Sequence, residues 1–218
     1  MRLQSVTTTL LSAKQAPESP LDLVQVTRVE AQRFPAIWRG GVAVVGGGSA
    51  GSAAALSAAR HNMPTIVIEE QGFLGGTSVA VLDTMYGFFA PGGEGRVVGG
   101  IAWEIADTLL SAGDAILREN TYGAGTGVTY EPEALKCLWD AKLLEAGVLP
   151  LLHARVRSVI IDKGTVTGLI VDTRRGPFRV DAECVIDASG DGYVAWAAGC
   201  SLEMPSERRR TQPLTTTF

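Results

Sequence analysis

Residues 42–51 read "VAVVGGGSAG", an apolar, β-branched run that breaks into glycines and then into small residues. A strand that ends in Gly-x-Gly-x-x-Gly and passes straight into a helix is the opening of a dinucleotide site. Gly46 would permit the tight turn out of the strand, Gly48 would let a pyrophosphate approach the backbone, and Gly51 would let the helix pack close. Ser49 and Ala50 stand between the last two glycines, at the start of the helix. Unpaired N–H groups and the positive end of the helix dipole favour phosphate there.

The flanking sequence supplies what a lone glycine pattern lacks. Residues 50–61, "AGSAAALSAARH", are rich in alanine and predict a helix that Asn62 and Pro64 end. Residues 65–70, "TIVIEE", predict a second buried strand. Strand, turn, helix and strand make a right-handed βαβ unit with parallel strands. Glu69 ends the second strand, eighteen positions after Gly51. A carboxylate there can accept hydrogen bonds from both ribose hydroxyls and would repel a 2′-phosphate, which disfavours NADP. Glu70 is the alternative acceptor. Side chains alternate across a strand, so one of the two faces the ribose, and spacing favours Glu69. The βαβ unit alone leaves NAD and FAD both open.

Further along, residues 73–100 are rich in glycine and predict no definite element. Residues 101–112 predict a helix stopped by Gly113, and residues 118–130, with "GAGTG", read as loop. "EPEALKCLWDAKLLEAG", residues 131–147, predicts a helix with Pro132 in its first turn and Gly147 beyond its end. The period then changes to two. "VLPLLHARVRSVIID", "TVTGLIVDT", "PFRVDAE" and "CVIDAS" predict strands separated by "KG" and "RRG" turns. The expected fold is α/β, a Rossmann-like nucleotide-binding domain over residues 41–218 with an inserted antiparallel β-meander. Residues 1–40 read as an extension with a short strand near residues 23–29.

Composition narrows the function. Net charge is −4 over 218 residues, which favours neither nucleic acid nor an anionic membrane surface. The cysteines, Cys137, Cys184 and Cys200, are scattered, with no metal-binding spacing, and suit a reducing compartment; Cys200 reads as a buried, inert thiol. No apolar run is long enough to span a membrane, and the first residues lack the order of a secretory signal, so a cytoplasmic location is expected. His61 and His153 lie at the end of a helix and the start of a strand, without catalytic partners at a recognisable spacing. Trp103, Trp139 and Trp196 read as packing residues in helices.

Five stretches, in order, resemble the FAD-dependent oxidoreductases of the glutathione-reductase-like fold, related to succinate dehydrogenase and fumarate reductase flavoproteins. They are "VVGGGSAGSAAALSAAR", "VIEEQGFLGGTS", "YEPEALKCLWDAKLLEAGV", "LLHARVRSVIIDKGTVTGLIVDTRRG" and "CVIDASGDGYVAWAAG". The resemblance implies FAD as the cofactor and a small organic molecule as substrate. It implies that Gly75, Gly76 and Thr77 lie along the pyrophosphate and ribityl chain. Val156 would offer its backbone N–H and C=O to the adenine edge. Ala188, Ser189 and Gly190 would pass close to the cofactor, with Asp191 following at a helix start. Ser78, Asp83 and Tyr86 follow the paired glycines toward the flavin ring, without an assigned role.

The resemblance further implies that "QPLTTTF", residues 212–218, precedes a substrate region and a last Gly–Asp motif that this sequence does not show. A split gene, a shortened chain and a noncatalytic flavin binder would each account for this. The expectation is a second polypeptide that completes the flavin and substrate site. Alternatives to a flavoenzyme are an NAD-linked enzyme built on the same unit, a noncatalytic flavoprotein subunit, and a thiazole-synthase-like protein, for which no reactive cysteine or metal-binding histidine stands in a suitable loop.

Overall fold

The computed structural model describes residues 25–81, 88–89, 95–119 and 125–202. Along the chain run β1 (Gln25–Thr27), α1 (Arg28–Ala31), β2 (Ala36–Val45), α2 (Ser49–Arg60), β3 (Thr65–Ile68) and α3 (Thr77–Ala80). Then come α4 (Gly100–Ala112), β4 (Ala115–Glu119), β5 (Thr126–Tyr130), α5 (Pro132–Glu145) and β6 (Leu149–Leu151). The last are β7 (Arg155–Asp162), β8 (Thr165–Thr173), β9 (Gly176–Asp187) and α6 (Tyr193–Ala197). Seven strands form one sheet in the order β1-β7-β8-β9-β2-β3-β6, and β4 and β5 form a separate hairpin.

β2 lies at the heart of the sheet, parallel to both β3 and β9. Its residues 41–45 are all buried, because helices cover one face and the meander covers the other. On the helical face Val42, Val44 and Val67 pack against Leu56 of α2, Ile105 and Leu109 of α4, and Leu135 and Leu143 of α5. Leu135, Trp139 and Leu143 recur every four residues and form the buried stripe of α5, which Pro132 opens at its first turn. On the opposite face Ala43, Val45, Ile66 and Ile68 pack against Val156 and Val159 of β7 and Leu169 and Val171 of β8. The meander is thus folded back over the parallel core.

The architecture is the α/β fold with an antiparallel meander that the sequence predicts, and several particulars differ. Residues 118–130 are not all loop: β4 and β5 pair from Ala115 with Tyr130 to Glu119 with Thr126. "TGVTY" carries the β-branched and aromatic residues of a strand, which its glycine disguises. "PFRVDAE" and "CVIDAS" are one strand, β9. Its first half pairs antiparallel with β8, and from Arg179 to Asp187 it pairs parallel with β2, so one strand joins the meander to the core. "VLPLLHARVRSVIID" is two strands. β6 pairs parallel with β3 at the sheet edge, where Pro150 can be tolerated, and β7 enters the meander after a break at His153, whose φ is +53°.

Residues 25–40 are integrated into this fold. β1 adds to β7 in parallel, within the stretch where the sequence predicts a strand, and residues 36–40 extend β2. Ala31, with Val26 and Phe34, covers Ile160 and Ile170 on the outer face of the meander. Thr27 and Glu30 close a capping box at the start of α1. Cys200 is exposed, not buried as its apolar neighbours suggest. Among the described residues, no helix is long and apolar enough to cross a membrane, and no cluster of side chains could hold a metal ion.

Candidate functional site

At the C-terminal ends of β2, β3 and β9, three loops come together. Gly46 turns the chain out of β2 with φ +94°; a Cβ there would lie 2.3 Å from the Ala188 carbonyl oxygen. A Cβ on Gly51 would lie 1.8 Å from the Gly46 carbonyl oxygen, so no side chain fits where α2 starts. The Gly75 N–H donates to the Gly47 carbonyl at 2.8 Å, and a Cβ on Gly76 would come within 2.8 Å of the Gly48 Cα. The two glycine loops therefore touch, backbone against backbone. The Ser49 and Ser78 hydroxyls lie 2.5 Å apart across this seam. No side chain caps α2, and its first turn holds no acid, so its positive N-terminal end is left for an external anion.

Glu69 decides between the two acids of "TIVIEE". It is buried, whereas Glu70 is exposed. The Gly47 N–H donates to Glu69 Oε2 and the Gln71 N–H to Glu69 Oε1, each at 2.6 Å. Each carboxylate oxygen keeps a further acceptor site, and Glu69 lines a cavity of about 290 Å³. Gly46, Glu69, Glu70, Val156, Ser189 and Asp191 all border this cavity, from four separated parts of the chain. Gln71, Arg155 and Tyr193 line it too, and nothing in their sequence spacing marks them.

The other expected residues fall around it. Ala188 backs Gly46, and its N–H donates to the Val45 carbonyl at 2.8 Å. Gly190 makes an open turn at φ +87°, and nothing stands within 4 Å of where a Cβ would be, so it is not pressed against another segment. Ala50 and Thr77 are exposed in the first turns of α2 and α3. Asp83 and Tyr86 lie outside the described residues.

Asp187 has a role that its place in "DASGD" does not announce. Its Oδ1 accepts the Ser189 N–H at 3.1 Å and the Ser189 hydroxyl at 2.6 Å, and its Oδ2 accepts the Ala195 N–H at 2.8 Å. Burial opposes its charge, but these hydrogen bonds outweigh burial and hold the carboxyl below its ordinary range. Asp187 thereby fixes the glycine loop after β9 and occupies the N-terminal end of α6. The start of α6 is thus filled by a carboxylate of this chain, whereas no side chain caps α2.

These features fit an adenine dinucleotide without a 2′-phosphate: a buried diol acceptor in a cavity, beside an uncapped helix start cradled by glycines. A family model described as FAD dependent oxidoreductase matches residues 41–218. No curated protein matches the chain. Among solved structures, a geranylgeranyl bacteriochlorophyll reductase-like protein from Thermoplasma acidophilum is similar at 23% identity and TM-score 0.55, over 74% of this chain and 42% of that one. A 3-ketosteroid-Δ4-(5α)-dehydrogenase from Rhodococcus jostii RHA1 is similar at 17% identity and TM-score 0.58, over 75% and 48%. A flavocytochrome c3 fumarate reductase is similar at 20% identity and TM-score 0.53, over 73% and 35%. At these identities the likeness is one of fold, and the chain spans less than half the length of each of the three structures.

Proposed function

This chain belongs to the FAD dependent oxidoreductase family, matched over residues 41–218, its cofactor is FAD, and from that premise we propose that it forms the FAD-binding portion of an enzyme acting on a small organic molecule. When bound, the flavin would supply the redox chemistry, hydride exchange with the substrate at its N5 position. The residues of this chain bind and orient the cofactor. The observation that carries the reading is the buried Glu69 carboxylate, fixed by two backbone N–H groups at the wall of a cavity beside the glycine turn. In this reading Glu69 accepts the ribose hydroxyls and the start of α2 receives the pyrophosphate. Gly75 and Gly76 line its path, and the Val156 backbone meets the adenine edge.

A Glu69→Arg substitution tests the assignment. It places a cation where a diol acceptor stood, and the purified variant should retain no flavin. Unchanged flavin content would move the role to Glu70 or remove it. Reduction of bound flavin by small organic substrates, followed by absorbance without oxygen, tests the enzymatic half. FAD that no substrate reduces would indicate a binding subunit without catalysis.

We further propose that a second polypeptide completes the flavin and substrate site. β8 leaves β9 at Asp181, and among the described residues no strand pairs with that edge of β9 from Ala182 to Asp187. Val185 and Ile186 are half-buried beside it. An unpaired strand edge invites another strand. Native mass measurement on protein from its own cells should show a heteromer; a stable, substrate-reducible monomer would count against it. The free cysteines are all exposed, which accords with a reducing cytoplasm as the proposed location.

A further inference from the structure

We propose that Tyr193 is the base-binding residue of the cavity, the surface against which the adenine ring lies; the inference rests on the FAD reading above. Tyr193 opens α6 and lines the cavity together with Glu69, Arg155 and Val156. It is tied at both ends. Its N–H donates to the Ser189 hydroxyl oxygen at 3.0 Å, and its own hydroxyl donates to the Arg157 carbonyl at 3.0 Å. The Ser189 hydroxyl donates in turn to Asp187 Oδ1 at 2.6 Å. The ring therefore spans from the glycine loop after β9 to the backbone of β7, one residue beyond Val156. Trp196 stands beside it at 6.1 Å between ring centroids, one turn along α6. A half-buried aromatic ring held at both ends loses little freedom when a flat ligand settles on it.

The chemistry of the wall separates two tasks. Glu69, an acceptor only, suits hydroxyl donors of a sugar. Tyr193, with its hydroxyl already engaged, offers a π-face, which suits a nucleobase and gives nothing to a phosphate. Arg155 adds a cation on the same rim. The ligand class is a purine nucleotide whose sugar bears a free 2′-hydroxyl. Asp187 and Ser189 act as positioning residues, because they set where the ring stands through the Tyr193 backbone.

The experiment adds ADP to the full chain carrying tyrosine labelled in the ring and reads nuclear Overhauser effects to adenine H2 and H8. A cross-peak that disappears in Y193F, where position 193 is no longer tyrosine, is the expected result. Affinities for FAD and ADP measured alongside should fall about tenfold in Y193A and stay within about threefold in Y193F, as loss of a base–aromatic contact requires. ADP bound to the wild type without that cross-peak would overturn the role of Tyr193 while leaving the dinucleotide reading intact. A wild-type chain that binds neither FAD nor ADP would overturn both. The wild-type spectrum decides the matter even if Y193A does not fold.

Discussion

Gly51 and Glu69 show how little of a site's geometry a residue type reveals by itself. Gly51 is a glycine because the Gly46 carbonyl oxygen stands 1.8 Å from where its Cβ would be, and relieving that overlap must move α2 away from β2. A Gly51→Ala variant should lose at least about 2 kcal/mol of stability and its bound flavin with it. Thermal melting and flavin absorbance check this, and a variant with wild-type melting would mean that α2 can shift without cost. In the sequence, the choice between Glu69 and Glu70 is legible only as an alternation. The fold settles their environments: Glu69 points into the sheet end, where Gly47 and Gln71 donate to it, and Glu70 lies in solvent. Tyr193 and Arg155 carry no mark in the sequence, since their relevance comes from distant segments meeting at one rim.

Among the elements, the βαβ unit is readable because each part signals locally: an apolar run, a glycine turn, an alanine-rich helix. The β4–β5 hairpin is not, because its strands are short, β5 bears a glycine, and β4 exposes all but Ala115. The helices are joined by Glu104 of α4, which pairs with Arg60 of α2 at 2.8 Å and Lys142 of α5 at 2.7 Å. Hydrogen bonds from Arg60 and then Lys142 lower the Glu104 carboxyl to about 2. A depressed acid stabilises the fold above its unfolded value of 4.5, and that contribution is lost as pH falls from 4.5 toward 2. Glu104 is about one-third exposed, so its contribution is small, about 1 kcal/mol. The melting difference between wild type and E104Q should be full at about pH 6 and narrow below pH 4.5. A difference independent of pH would assign the effect to packing.

At the scale of the molecule, the parallel core, the meander and the leading segment form three stacked apolar layers. The leading segment reads as an appendage because its sequence carries no strong periodicity. It nonetheless covers Ile160 and Ile170, both almost fully buried in the outer face of the meander. Deleting residues 1–34 would uncover them and should destabilise the chain by about 3 kcal/mol, from two isoleucines returned to water. Chemical denaturation checks this, and an unchanged midpoint would show that the layer contributes no stability. The edge of β9 that no described strand covers also belongs to this scale, since pairing over Ala182 to Asp187 would complete a strand already bonded to β2 from Arg179 to Asp187.

The central claim is that the glycine turn, Glu69 and the loop held by Asp187 together form an FAD site. Purifying the full chain, denaturing it and identifying the released nucleotide chromatographically tests that claim most directly. The expected result is FAD, in about equal amount to the chain, with Glu69→Arg yielding none. Release of NAD, or a wild-type chain that neither retains FAD nor takes it up from solution, would contradict it.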